Sequence, residues 1–149
     1  MPLLRLIFAA LLLVMPVVGA CATAEESAAE LFAKYVSLGS SYDASLADLY
    51  ADTALITNKR TYPHGEVREI TIPAPQYKQL IRAAMPMARS RGDISTYSDV
   101  TYITQGETVR ISATRFSELK QYKSPLSLVV GSSSSGEWLI LEEHSESRP

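Results

Sequence analysis

The chain has 149 residues, with 14 basic and 16 acidic side chains and a net charge of −2. That length allows one domain with a hydrophobic core of its own. The mild acidity and the lack of a basic run exclude a nucleic-acid surface built on phosphate neutralisation. One cysteine excludes an intramolecular disulfide framework, and two histidines without further cysteines leave no metal-ligand cluster, so no metal or cofactor is expected.

The N-terminus carries one charge, Arg5, and then an uninterrupted apolar run over residues 6–18. The small residues Gly19, Ala20, Ala22 and Ala24 follow, and then the first acids, Glu25 and Glu26. A short basic segment, a brief apolar run and a small-residue exit make a secretory signal peptide; the run is short for a membrane-spanning helix, and an uncleaved N-terminal anchor is the alternative. Residues 1–24 are therefore expected to be the leader and residues 25–149 a single domain. The only cysteine, Cys21, sits in the exit. Val18-Gly19-Ala20-Cys21 resembles the bacterial lipobox, in which the cysteine is acylated and becomes the new N-terminus. The resemblance implies lipidation at Cys21 and, with Ala22 following it, sorting to the outer membrane. An ordinary cut at Ala20-Cys21-Ala22 or Ala22-Thr23-Ala24 is the alternative, and leaves the domain in the periplasm. Any membrane contact would then come only through a lipid on Cys21.

Ser27 and Glu30 have the spacing of a capping box. Leu31, Phe32, Tyr35, Val36 and Leu38 recur at helical period up to Gly39. Asp43 is placed to cap a second, shorter helix whose Leu46, Leu49 and Tyr50 face one way, ending near Asp52. Residues 54–58 read as a strand, 62–65 as a turn holding His64, and 67–72 as an alternating return strand. Pro73 and Pro75 open a third helix with Tyr77, Leu80, Ile81, Ala84 and Ala88 on its apolar face and Gly92 past its end. Pro86 inside it removes a backbone donor and predicts a kink or early termination. Four strands follow, over 98–104, 108–116, 126–130 and 137–143, joined by Gln105-Gly106, a longer link, and the serine-rich loop 131–136. That spacing predicts an antiparallel meander and an α+β architecture of order α-α-β-β-α-β-β-β-β.

That order, with ADLYADTALI at 47–56 and GEWLILEE at 136–143, resembles the nuclear transport factor 2-like superfamily, a cystatin-like fold. Its bacterial members include proteins similar to ketosteroid isomerase and to the SnoaL-type polyketide cyclases. The resemblance implies a curved antiparallel sheet wrapped around three helices into a cone, with a pocket at the open end. It also implies a homodimer through the outer sheet face. Isomerases, cyclases, dehydratases and plain binding modules all occur on this fold, so it does not choose among them.

A ketosteroid-isomerase type of site needs an acidic base on the first strand. Here that strand alternates Thr53, Leu55, Thr57 against Ala54, Ile56, Asn58, without a carboxylate. The nearest acids are Asp52, which also reads as the end of the second helix, and Asp99, which alternates opposite to Val100 and Tyr102. Strand parity gives further pocket candidates. Arg115 shares a face with Val109, Ile111 and Ala113, where a guanidinium can clamp a ligand carboxylate or simply extend into solvent. Tyr35 and Tyr102 are candidate wall residues, and Trp138, Ile140, Glu142 and His144 share one parity, with Glu142 and His144 as a polar pair. The expectation is an exported domain that binds a small apolar or amphipathic ligand in its cone. An isomerase, cyclase or dehydratase, and a structural or partner-binding envelope lipoprotein, are the alternatives.

Overall fold

The computed structural model describes residues 21–148. The leader expected over residues 1–20 lies outside them, while Cys21 is exposed, three residues ahead of the first helix. That helix, α1 (Ala24–Ser40), is capped one turn earlier than the sequence pattern predicts. Thr23 and Glu26 form the capping box, and the amide of Ser27 donates to the carbonyl of Thr23, which puts Ser27 inside the helix. Both pairs have the same spacing, and the one nearer the chain start closes first.

Asp43 caps a tight 3₁₀ helix (Ala44–Leu49), accepting from the Ser45 amide. Tyr50 is not its last turn: it adopts an extended backbone and opens β1 (Tyr50–Thr61), far longer than the strand expected from residue 54. β2 (Val67–Pro73) returns antiparallel, and α2 (Ala74–Arg91) follows with proline in its first turn and Gly92 in the left-handed conformation at its end. No early termination occurs at Pro86. Its residue is exposed, so the carbonyl of Arg82 that loses a donor faces water. Leu80, expected on the packed face, is 48% exposed.

The remaining strands are β3 (Ser95–Gln105), β4 (Thr108–Ser117), β5 (Tyr122–Ser132) and β6 (Trp138–Ser147), paired as the expected antiparallel meander. The six strands form one sheet in the order β2-β1-β6-β5-β4-β3. Only the β1–β6 pair is parallel, which joins the first hairpin to the meander. Helices on one face and the serial α-then-β order give the α+β, cystatin-like architecture that the sequence predicts.

The core occupies one end of the inner sheet face. Val109 and Ile111 of β4, Leu128 and Val130 of β5 and Ile140 of β6 are almost fully buried beneath Leu31 and Phe32 of α1. Three irregularities in register then decide what faces inward elsewhere. In β6, Val130 pairs with Ile140 but Val129 pairs with Glu142, so Leu141 is an extra residue. In β3, Ser98 pairs with Thr114 and Thr101 with Ser112, leaving Asp99 and Val100 opposite one residue. β1 slips against β6 between Tyr50 and Leu55. Each bulge inverts the alternation beyond it.

Candidate functional site

The other end of the inner face is open. A cavity of about 320 Å³ lies there between α2 and the sheet. Its roof is one stripe of α2, Tyr77, Ile81, Ala84, Met85 and Ala88, at the i, i+4, i+7, i+8, i+11 spacing of a helix face. The last turns of α1 contribute Tyr35, Val36 and Gly39. The sheet supplies Asn58, Tyr97, Arg115, Leu126, Glu143 and Ser145. A volume of this size lies at the low end of small-molecule pockets.

The floor holds a buried acid. Glu143 is 2% exposed, one of three polar or charged side chains in the buried set. The bulge at Leu141 turns it inward: Ile140 and Glu143 face the core, while Leu141 and Glu142 point out. Its two oxygens are each addressed by a phenol. Tyr50 donates to Oε2, and Tyr77 donates to Oε1 at 2.9 Å. The Tyr50 and Tyr77 rings meet edge to face with centroids 5.3 Å apart. Beside them Tyr35 stacks on Phe32 and meets Tyr97 edge-on at 5.9 Å. Two tyrosines thus bind one carboxylate, and two more stand in the same cavity wall.

Burial of the hydroxyl ends, reinforced by the negative charge of Glu143, pushes Tyr50 and Tyr77 well above the ordinary tyrosine value. Tyr35 is raised as strongly, first by burial and then by Tyr97 and Glu143. Tyr97 is raised by burial, against opposing contributions from Tyr35 and Arg115. All four are therefore neutral hydrogen-bond donors at physiological pH.

Arg115 is the one cationic side chain on the cavity wall among the described residues. Its Nε donates to Ser95 Oγ at 2.8 Å, and its guanidinium carbon lies 5.9 Å from the centre of the Tyr122 ring. The regular register of β4 places it where strand parity predicts, on the same face as Val109, Ile111 and Ala113. Tyr35 and Arg115 both line the cavity.

The other candidates stand elsewhere. Tyr102 and Trp138 pack against the core at the opposite, closed end of the inner face. Trp138 lines a shallow cleft with Glu30 and Lys34 of α1 instead. Glu142 is a correction: beyond the bulge it lies on the outer face, where its Oε2 is 3.7 Å from His144 Nε2. The polar pair forms, but away from the cavity. Asp52 is exposed and paired with Lys78 at 2.6 Å, and that hydrogen bond holds its carboxyl below the usual range. Asp99 occupies the β3 bulge with φ +53°, a left-handed position that Asp tolerates. Its carboxylate accepts from the Ser98 hydroxyl at 2.9 Å; that bond and one to Thr114 lower it, and it points to solvent. His64 remains in its turn, 2.9 Å from Glu66.

Glu143 and Tyr97 are cavity residues that strand parity missed, and Tyr50 and Tyr77 were read only as apolar helix-face residues. One signal was present: Trp138-Leu-Ile-Leu141 is four apolar residues in a row, which a single two-residue alternation cannot place on one face. A second concavity of about 320 Å³ opens on the outer sheet face beside Lys59, Glu69 and His144. It contains no buried ionisable side chain, so the inner cavity is the better candidate.

No protein-family model matches the sequence, and no curated protein matches it. Solved structures do. An NTF2-like protein of unknown function from Pseudomonas putida KT2440 superposes with a TM-score of 0.64 at 13% identity, over 83% of this chain and 85% of its own. A proposed ketosteroid isomerase from Parabacteroides distasonis gives 0.57 at 15% identity, over 80% and 83%. A proposed dehydratase of the NTF2-like family from Streptomyces avermitilis gives 0.56 at 14% identity, over 81% and 93%. With the sheet order and the helix-roofed cavity, these superpositions establish that the chain has the nuclear transport factor 2-like fold.

Proposed function

We propose that the domain binds a small amphipathic molecule in the cavity between α2 and the sheet. The observation that carries this reading is the cavity itself: about 320 Å³ are left open at one end of a cone whose other end is tightly packed. Its roof is apolar and its floor polar, the usual composition of a pocket that takes a hydrocarbon body and fixes a polar head. A purely structural or partner-binding module has no need of that space. Native mass spectrometry of the purified protein, followed by extraction and identification of the released compound, tests the reading. A stoichiometric small molecule is expected in the wild type and absent from Ala88→Phe, which puts a ring in place of a methyl on the cavity wall. A protein that purifies empty and binds no small molecule would overturn it.

A second reading is supported by the carboxylate and the phenols sharing one cavity. Glu143 would take a proton from a bound carbon acid while a tyrosine hydroxyl, Tyr97 or Tyr35, donates to the developing oxyanion. Proteins described as a ketosteroid isomerase and a dehydratase share this fold, which supports the reading. Exchange of solvent deuterium into the bound compound, followed by NMR, separates the two: a binder leaves the compound unlabelled.

For the location, the proposal is an exported domain held at the outer membrane by a lipid on Cys21. The exposure of Cys21 just ahead of α1 supports it. Labelled palmitate should enter the wild type and not Cys21→Ser; equal labelling of both would exclude acylation there.

A further inference from the structure

We infer that the compound bound in this cavity carries a protonated amine on an apolar body, with the ammonium seated against Glu143. The inference rests on the small-molecule reading above and specifies its ligand.

Glu143 is buried, yet among the described residues no Lys, Arg or His nitrogen lies within 4.0 Å of it. Among the described residues its only hydrogen-bond partners are the hydroxyls of Tyr50 and Tyr77. Two neutral donors occupy about half the acceptor capacity of a carboxylate and bring it no counter-charge. A buried charge without a counter-charge is costly, and a ligand cation removes that cost on binding.

The surrounding wall suits the same group. Tyr35, Tyr77 and Tyr97 line the cavity next to Glu143, and aromatic faces attract an ammonium ion through their quadrupole. Beyond them Val36, Leu46, Ile81, Met85 and Leu126 offer hydrocarbon to the rest of the molecule. The one cationic lining residue does not neutralise the floor. Arg115 is engaged with Ser95 and the Tyr122 ring, and the lining acids, Glu143 and Asp93, outnumber it.

Calorimetric titration of the full-length protein at neutral pH with cyclohexylmethylamine, cyclohexylmethanol and cyclohexanecarboxylate tests the inference, since the three share a skeleton and differ in charge. The amine should bind at least about tenfold more tightly than the alcohol, and the carboxylate most weakly. Glu143→Gln should cost the amine about tenfold or more and leave the alcohol within about twofold. The amine–alcohol comparison is made in the wild type, so it stands even if the variant does not fold. Equal binding of amine and alcohol overturns the inference and leaves the small-molecule reading intact. Preference for the carboxylate also overturns it, and assigns the head group to Arg115. Absence of binding by all three overturns the inference, and native mass spectrometry then decides the broader reading separately.

Discussion

The two ends of the inner sheet face are built from the same three strands, β4, β5 and β6, and do opposite things. At the closed end, Val109, Ile111, Leu128, Val130 and Ile140 are at most 1% exposed under α1. At the open end the same strands present Arg115, Leu126, Glu143 and Ser145 to a cavity. The difference comes from the roof: the closed end is covered directly by Leu31 and Phe32, whereas α2 spans the open end with small residues, Ala84 and Ala88. Stability is therefore concentrated at one end, and capacity to bind at the other.

Changes at the closed end should break the fold without touching the pocket. Ile111→Ala or Ile140→Ala should lower the unfolding free energy by about 2–5 kcal/mol, read by urea denaturation. The folded fraction should keep its affinity for a cavity ligand.

The Tyr50–Glu143 bond lies where the two ends meet, and its loss should be intermediate. Tyr50→Phe removes one of two donors to a buried carboxylate and should cost about 1–3 kcal/mol. Tyr77→Phe should cost less, because that side chain is at the cavity wall and water can replace it.

The buried phenols also set an alkaline limit. Tyr35, Tyr50 and Tyr77 hold their protons more tightly when folded than in the unfolded chain, where tyrosine titrates near 10. Their contribution is complete below about pH 10 and is lost as pH rises toward the folded values. Each should add about 1.4 kcal/mol per pH unit to the fall in stability above that point. Urea unfolding across that range should show a steep decline in the wild type and a shallower one in Tyr77→Phe. A stability that stays flat above pH 10 would contradict the burial of these groups.

The smallest effect is expected outside both ends. Asp52 pairs with Lys78 on the surface, so Asp52→Asn should leave both stability and ligand binding at wild-type levels.

How much of this was legible in the sequence follows the regularity of each strand. β4 pairs without interruption with β5, so alternation alone put Val109, Ile111, Ala113 and Arg115 on one face, and left open whether Arg115 faced a ligand or solvent; it lines the cavity. β6 carries a bulge, and the same logic chose Glu142 where Glu143 is the buried acid. A bulge is a pairing event between two strands distant in sequence, so the period of one strand does not reveal it. Tyr50 was obscure for a related reason: it sits at the junction of a 3₁₀ turn and a strand, and the apolar pattern there fits either. The overall order of helices and strands was readable because caps, glycines and prolines mark their ends locally. The tyrosine–glutamate cluster joins 3₁₀-proximal β1, α2 and β6, and only the folded chain assembles it.

The most direct test of the division between the two ends is a paired measurement on Ala88→Phe: unfolding free energy by urea denaturation and cyclohexylmethylamine affinity by calorimetry. Filling the cavity from the α2 side should leave stability within about 1 kcal/mol of the wild type, since Ala88 lies outside the packed core, while abolishing binding. Undiminished amine binding in a folded Ala88→Phe protein would contradict the account, because the ligand would then be held somewhere other than the open end of the cone.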